Sequence, residues 1–134
     1  MGKPIAVLLL LDTHAFLWWI ADSGRLSGPA RAAIANESND IAVSAASAWE
    51  IATRFRIGKL PGCEAVAVDV AAHIAGQGFE ELAIGVADAE RAGRLPGPHR
   101  DPFDRMLAAQ ALARDIPVVS VDPVFDGFGV NRLW

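Results

Sequence analysis

The stretch Ile5-Ala-Val-Leu-Leu-Leu-Leu11, followed at once by Asp12-Thr-His-Ala-Phe-Leu-Trp18, decides the architecture. Seven apolar residues in a row, without polar alternation, predict a strand covered on both faces, as in a parallel sheet flanked by helices. Residues 13–21 read as a helix, so strand gives way to helix at Asp12. A carboxylate there does nothing for packing. In open parallel sheets, ligands bind beyond the carboxyl ends of the strands, which makes Asp12 the first candidate functional residue. The apolar run is far too short to span a membrane and is not followed by a convincing cleavage site. It is therefore expected to be a buried strand of a cytoplasmic protein with no membrane attachment.

Working outward, Ser27-Gly-Pro opens a second helix through residue 37, Asn39-Asp40 marks a turn, and residues 41–44 form a short strand. Residues 44–57 are expected to be helical, with Ala48, Ile51, Ala52 and Phe55 as the inward stripe, stopped by Gly58 and Pro61. Then follow a helix over 65–75, a strand over 79–84, a short helix over 87–93 and a Pro/Gly-rich loop over 95–100. A long helix over 101–114 leads to a strand over 116–121 that ends on Asp122, and residues 130–134 supply a last short strand. This alternation predicts an α/β chain with a mostly parallel sheet between helices. With 134 residues, 52% of them hydrophobic, the chain has room for one well-filled core and no second domain. Its single cysteine, Cys63, can form no intrachain disulfide, and nothing resembles a Cys/His zinc cluster, which fits a reducing compartment.

Four acids fall near the same rim of this sheet: Asp12 and Asp122 at strand ends, Asp104 in the first turn of its helix, and Glu50 in the second turn of another. Unmatched carboxylates so placed repel one another, and a divalent cation removes that penalty. All-oxygen donors suit Mg²⁺ or Mn²⁺, which bind phosphate oxygens and activate water, so the pattern points to phosphoryl-transfer chemistry. Each acid has a structural alternative. Glu50 stands three residues after Ser47 and four before Arg54, the spacings of a capping box and of a helix ion pair. Asp101-Pro102 reads as an N-cap with proline at N1, which puts Asp104 at N3, where it can answer the helix dipole. Asp122-Pro123 can start a turn.

A net charge of −4 argues against a broad basic face for nucleic acid. It leaves room for local contacts, and Arg54, Arg56, Lys59, Arg100 and Arg105 lie near the acidic motifs; Arg54, Arg100 and Arg105 are the candidates for RNA phosphates. His14 and His99 adjoin acidic motifs without being assigned a catalytic role.

Taken in order, the motifs Leu-Leu-Asp-Thr-His-Ala-Phe-Leu-Trp at 10–18, Ser-Ala-Ala-Ser-Ala-Trp-Glu-Ile at 44–51, His-Arg-Asp-Pro-Phe-Asp-Arg-Met-Leu-Ala-Ala-Gln-Ala at 99–111 and Pro-Val-Val-Ser-Val-Asp at 117–122 resemble the PIN-domain nucleases, and among them the VapC-type toxins. The resemblance covers nearly the whole chain. It implies a single PIN domain over 1–134, a three-layer sandwich with a central mostly parallel sheet. It further implies a Mg²⁺- or Mn²⁺-dependent endoribonuclease with Asp12, Glu50, Asp104 and Asp122 as metal-binding catalytic acids, Asp12 and Asp104 foremost. Ser120 stands where relatives often carry threonine. A cognate antitoxin, a homodimer and an RNA substrate are implied by the same likeness; the tryptophans at 18, 19, 49 and 134 suit partner surfaces as well as a core.

Other readings fit less well. A phosphoacceptor receiver needs a strand-end lysine, and neither Lys3 nor Lys59 is so placed. A haloacid-dehalogenase-type phosphatase needs Asp-x-Asp where Asp12-Thr13-His14 stands, and no Gly-x-Gly-x-x-Gly turn supports a dinucleotide site. A PIN-like module that binds without catalysis is the remaining alternative.

Overall fold

The computed structural model describes residues 7–134; residues 5 and 6 of the expected first strand lie outside the described residues. Strand β1 (Val7–Leu11) leads into helices α1 (Thr13–Ile20) and α2 (Gly28–Ala35), then β2 (Asn39–Ser44), α3 (Ala45–Arg56), α4 (Glu64–Val68), α5 (Val70–Gly76) and β3 (Glu80–Leu82). Helices α6 (Val86–Arg94) and α7 (Pro102–Arg114), strand β4 (Val118–Val119), helix α8 (Val124–Gly127) and strand β5 (Arg132–Leu133) complete the chain. The five strands lie in the order β3-β2-β1-β4-β5, and every pairing is parallel, so the expected mostly parallel sheet is parallel throughout.

Alternate residues of the central strands feed two separate cores, which makes the molecule three-layered. Leu9, Leu11, Ile41, Val43 and Val119 pack with Phe16, Leu17, Ile34, Val66 and Ile74 on one face. Leu10, Ala42 and Val118 pack with Leu107, Ala108, Ala111 and Phe125 on the other. Both faces of β1 are thus apolar because both are covered, as the uninterrupted run at its centre requires.

Several element boundaries differ from expectation for local physical reasons. Asn39 and Asp40 are strand residues rather than a turn, because they pair with Val7 and Leu8 of β1. The helix expected over 65–75 is two, broken at Asp69, whose side chain accepts a bond from the Ala72 amide and restarts the helix. The short helix α8 had no counterpart in the sequence reading; it supplies the crossover between parallel β4 and β5. In α3 the buried residues are Ala46, Ser47, Glu50 and Ile51; of the expected stripe Ile51 is buried and Ala48 half-buried. Ala52 is exposed and Phe55 is 46% exposed. The helix lies where β2 ends: Ala46 joins one core and Ile51 the other, so its buried face is polar at the centre. It ends where Gly58 takes a positive φ of 72°, a conformation glycine adopts without steric cost.

One buried side chain ties the rim together. Gln110 of α7 is fully buried; its Oε1 accepts from the Ser44 hydroxyl at 2.6 Å, and its Nε2 donates to the Ala83 carbonyl at 3.1 Å. It links the end of β2, the segment after β3, and α7. No helix among the described residues is long and apolar enough to cross a membrane.

Candidate active site

Asp12 directly follows β1 and caps α1: its Oδ1 accepts a 2.8 Å bond from the Ala15 amide. The Ser120 hydroxyl, just beyond β4, adjoins the same carboxylate and favours its charged form. These bonds do not offset the loss of water. Burial pushes the Asp12 carboxyl up to about 6, the hydrogen bonds and His14 oppose the rise, and the charge of Asp104 adds to it.

Asp104 lies in the first turn of α7, whose N-cap is Asp101: the Asp101 Oδ1 accepts from the amides of Phe103 and Asp104 at 2.8 and 3.1 Å. The structural role expected for Asp101 is therefore the one it occupies. Burial raises the Asp104 carboxyl; His99 opposes this, while Asp101 and Asp122 reinforce it. Its Oδ2 lies 2.9 Å from His99 Nε2, so the imidazole N–H donates to it, and the ring stands edge-on to Phe128 with centroids 5.9 Å apart. Sequence reasoning gave His99 no role. The only signal was its place two residues before a capping aspartate, and a capping motif does not specify what its neighbours touch. Replacing His99 by alanine is expected to weaken Mn²⁺ binding about 10- to 100-fold, with glutamine restoring part of the loss, measured by titration of the metal into each variant.

Arg105, one of the candidates for RNA phosphates, is anchored on the backbone of the neighbouring loop. Its guanidinium donates to the carbonyls of Ala92 and His99, each at 2.9 Å, and of Leu95, pinning the Pro/Gly-rich loop onto α7. With three of its N–H donors on backbone carbonyls, it clamps the segment that carries His99. The Arg105→Ala variant is expected to lose at least about 2 kcal/mol of stability, read from urea midpoints, since even one hydrogen bond from a charged group contributes about 1.5–3 kcal/mol net.

Glu50 is buried in the second turn of α3. Its Oε2 accepts from Arg54 Nε and Nη2, each at 2.9 Å. The helix ion pair is therefore formed, whereas the N-cap is Ser44 and not Ser47. Ser47 instead accepts a bond from the Thr13 hydroxyl at 3.1 Å, fastening the start of α1, next to Asp12, to α3 one turn before Glu50. Asp122 is exposed and caps a turn, its Oδ1 accepting from the Val124 amide at 3.0 Å, while its own amide donates to Ser120 Oγ. Arg100 is exposed, and among the described residues it makes no ion pair.

The family model for the PIN domain matches residues 9–130, nearly the whole chain and all four acids. The chain belongs to the PIN-domain family. Solved structures share its fold at low identity. A toxin from Mycobacterium tuberculosis that cleaves the sarcin–ricin loop, VapC20, is 18% identical with a TM-score of 0.67, covering 91% of this chain and 95% of that one. VapBC2 from Rickettsia felis, bound to a DNA fragment from its promoter, is 15% identical with a TM-score of 0.65, covering 96% and 100%. FitAcB from Neisseria gonorrhoeae is 17% identical with a TM-score of 0.61, covering 92% and 95%. No curated protein matches the chain in sequence.

In this PIN domain the charge of Asp104 reaches Asp12 and that of Asp122 reaches Asp104, while the Thr13–Ser47 bond joins α1, which follows Asp12, to α3, which carries Glu50. Among the described residues, no three Asp, Glu, His or Cys side chains are close enough to grip a metal ion as they stand. The donor chemistry fits a hard divalent cation: the acids offer oxygen alone, and Asp12 is buried and Asp104 half-buried, each with its charged form disfavoured by the loss of water.

Proposed function

We propose that this PIN domain is a Mg²⁺- or Mn²⁺-dependent endoribonuclease and the toxin of a toxin–antitoxin pair. The observation that carries the reading is Asp12, a buried carboxylate at the carboxyl end of β1 whose charge is opposed by burial and by Asp104. Asp12 and Asp104 are the main holders of the cation, with Glu50 and Asp122 completing its oxygen set. A bound divalent ion would supply positive charge to phosphate oxygens and lower the pKa of a water.

The protein's own groups do the positioning. Ser120 and the Ala15 amide fix the Asp12 carboxylate, His99 fixes Asp104 Oδ2, and Arg54 holds Glu50 by one oxygen, leaving the other available. Exposed Arg100 is free to meet a phosphate beside the acids, and Arg54 is the second candidate, through the face of its guanidinium not turned to Glu50. RNA then lies across the rim with its scissile phosphate over Asp12 and Asp104. The toxin assignment is supported by the fold shared with VapC20 and with the VapBC2 and FitAcB complexes. A cognate antitoxin, a homodimer and a cytoplasmic setting belong to the same reading. Exposed Phe55 and Ile57 at the end of α3 offer apolar surface to a protein partner.

Incubating the purified protein with total cellular RNA tests this. Discrete fragments are expected with Mg²⁺ or Mn²⁺, and none with EDTA or with the Asp104→Asn variant. Intact RNA under every condition, from folded protein free of any bound partner, would leave a catalytically silent binding module; full activity in the variant would remove Asp104 from the site.

A further inference from the structure

Between α3, α6 and α7 lies a groove of about 260 Å³ lined by Trp49, Ile84, Ala92, Pro102 and Met106, with Arg100 in its wall. Trp49 is 60% exposed and belongs to neither core. Its indole is nevertheless held: it meets the Phe103 ring edge-on, with centroids 4.8 Å apart and planes at 77°. Trp49 directly precedes Glu50 on α3, and Phe103 directly precedes Asp104 on α7, so the aromatic pair bridges the same two helices that carry two of the acids.

We propose that this groove is a nucleobase subsite: an unpaired base of the RNA stacks on the exposed Trp49 indole, and Arg100 engages a neighbouring phosphate. The inference rests on the nuclease reading above and adds to it where the strand is gripped. Charge argues for this occupant. A chain of net charge −4, with carboxylates at the rim, has little general attraction for a phosphate backbone, and stacking supplies affinity without positive charge. A base must be unstacked from its neighbours to reach an indole face, so the subsite selects single-stranded or looped RNA over duplex.

The test is binding of a short single-stranded RNA in EDTA, followed by fluorescence anisotropy, for wild type, Trp49→Ala and Trp49→Phe. Loss of one stacked base is expected to weaken binding about tenfold or more in the alanine variant, with phenylalanine within about threefold of wild type. An oligonucleotide series with one abasic position moved along the strand should contain a member that binds wild type as weakly as the intact strand binds Trp49→Ala. Unchanged affinity in Trp49→Ala, or no measurable binding by wild type, overturns the subsite. Loss of affinity that accompanies dissociation of a dimer in sedimentation, with no abasic effect, also overturns it and makes the groove a subunit contact. Failure of the nuclease reading is separate: RNA that binds through Trp49 but is never cut leaves the subsite standing, and RNA that is cut while Trp49 is irrelevant to binding removes it.

Discussion

Asp12→Asn is expected to abolish RNA cleavage while making the metal-free protein more stable at neutral pH. Activity should fall at least about 100-fold, because even groups that only orient metal ligands contribute about 10- to 100-fold. Stability should move the other way. The Asp12 carboxyl is pushed up to about 6 by burial from its ordinary value of 3.8, so folding favours its neutral form. Such a group leaves stability at its full value below pH 3.8 and lowers it as pH rises through about 6. Metal-free wild type should therefore lose roughly 2–3 kcal/mol from this group between about pH 4 and 7. Asparagine carries no charge, and its Oδ1 can still accept from the Ala15 amide and cap α1. Thermal unfolding in EDTA should show the variant melting above wild type at pH 7, with the gap closing near pH 4. Added Mn²⁺ should raise the wild-type melting temperature and leave the variant where it was. A variant that melts below wild type at pH 7 without metal would mean that the Asp12 charge is already well matched by the protein.

The second large effect is expected at Gln110. Its truncation to alanine removes the partner of the buried Ser44 hydroxyl and of the Ala83 carbonyl and opens a cavity in the α7 face. An unsatisfied buried polar group costs about 1–3 kcal/mol, and the cavity adds to it, so the total loss is expected at about 3–5 kcal/mol. Urea unfolding measures this directly, and a loss under about 1 kcal/mol would show that water or local repacking replaces both bonds. Because Gln110 joins β2 to α7, the variant should also disturb the relation between Glu50 and Asp104, so its cleavage rate should fall even where it is fully folded.

The parts legible in the sequence were those governed by short-range rules. The uninterrupted apolar run at β1 declared a strand covered on both faces, Asp101-Pro102 declared a helix start, and strand–helix alternation declared the parallel sheet. Asp12 stood out because a strand-end carboxylate has no packing role. On α3 apolar spacing locates Ile51 in the core but not Ala52 and Phe55, which are exposed; Ser47 and Glu50 are buried beside Ile51, and apolar spacing carries no signal for buried polar groups. The split at Asp69 depended on a single side chain competing with the helix for a backbone amide. Contacts between distant residues carried no local signal at all: Thr13 with Ser47, Ser44 with Gln110, and the three carbonyls gathered by Arg105. The clamp at Arg105 shows the consequence, since no local pattern joins this arginine to the carbonyls of Ala92, Leu95 and His99.

The central claim, that Asp12 anchors a divalent cation among the rim acids, is tested most directly by counting bound Mn²⁺ by electron paramagnetic resonance during a titration at pH 7 of wild type and Asp12→Asn. The account predicts saturable binding by wild type and an affinity lowered by at least about tenfold in the variant. Equal affinity in the two proteins, or no saturable binding by wild type, would contradict it.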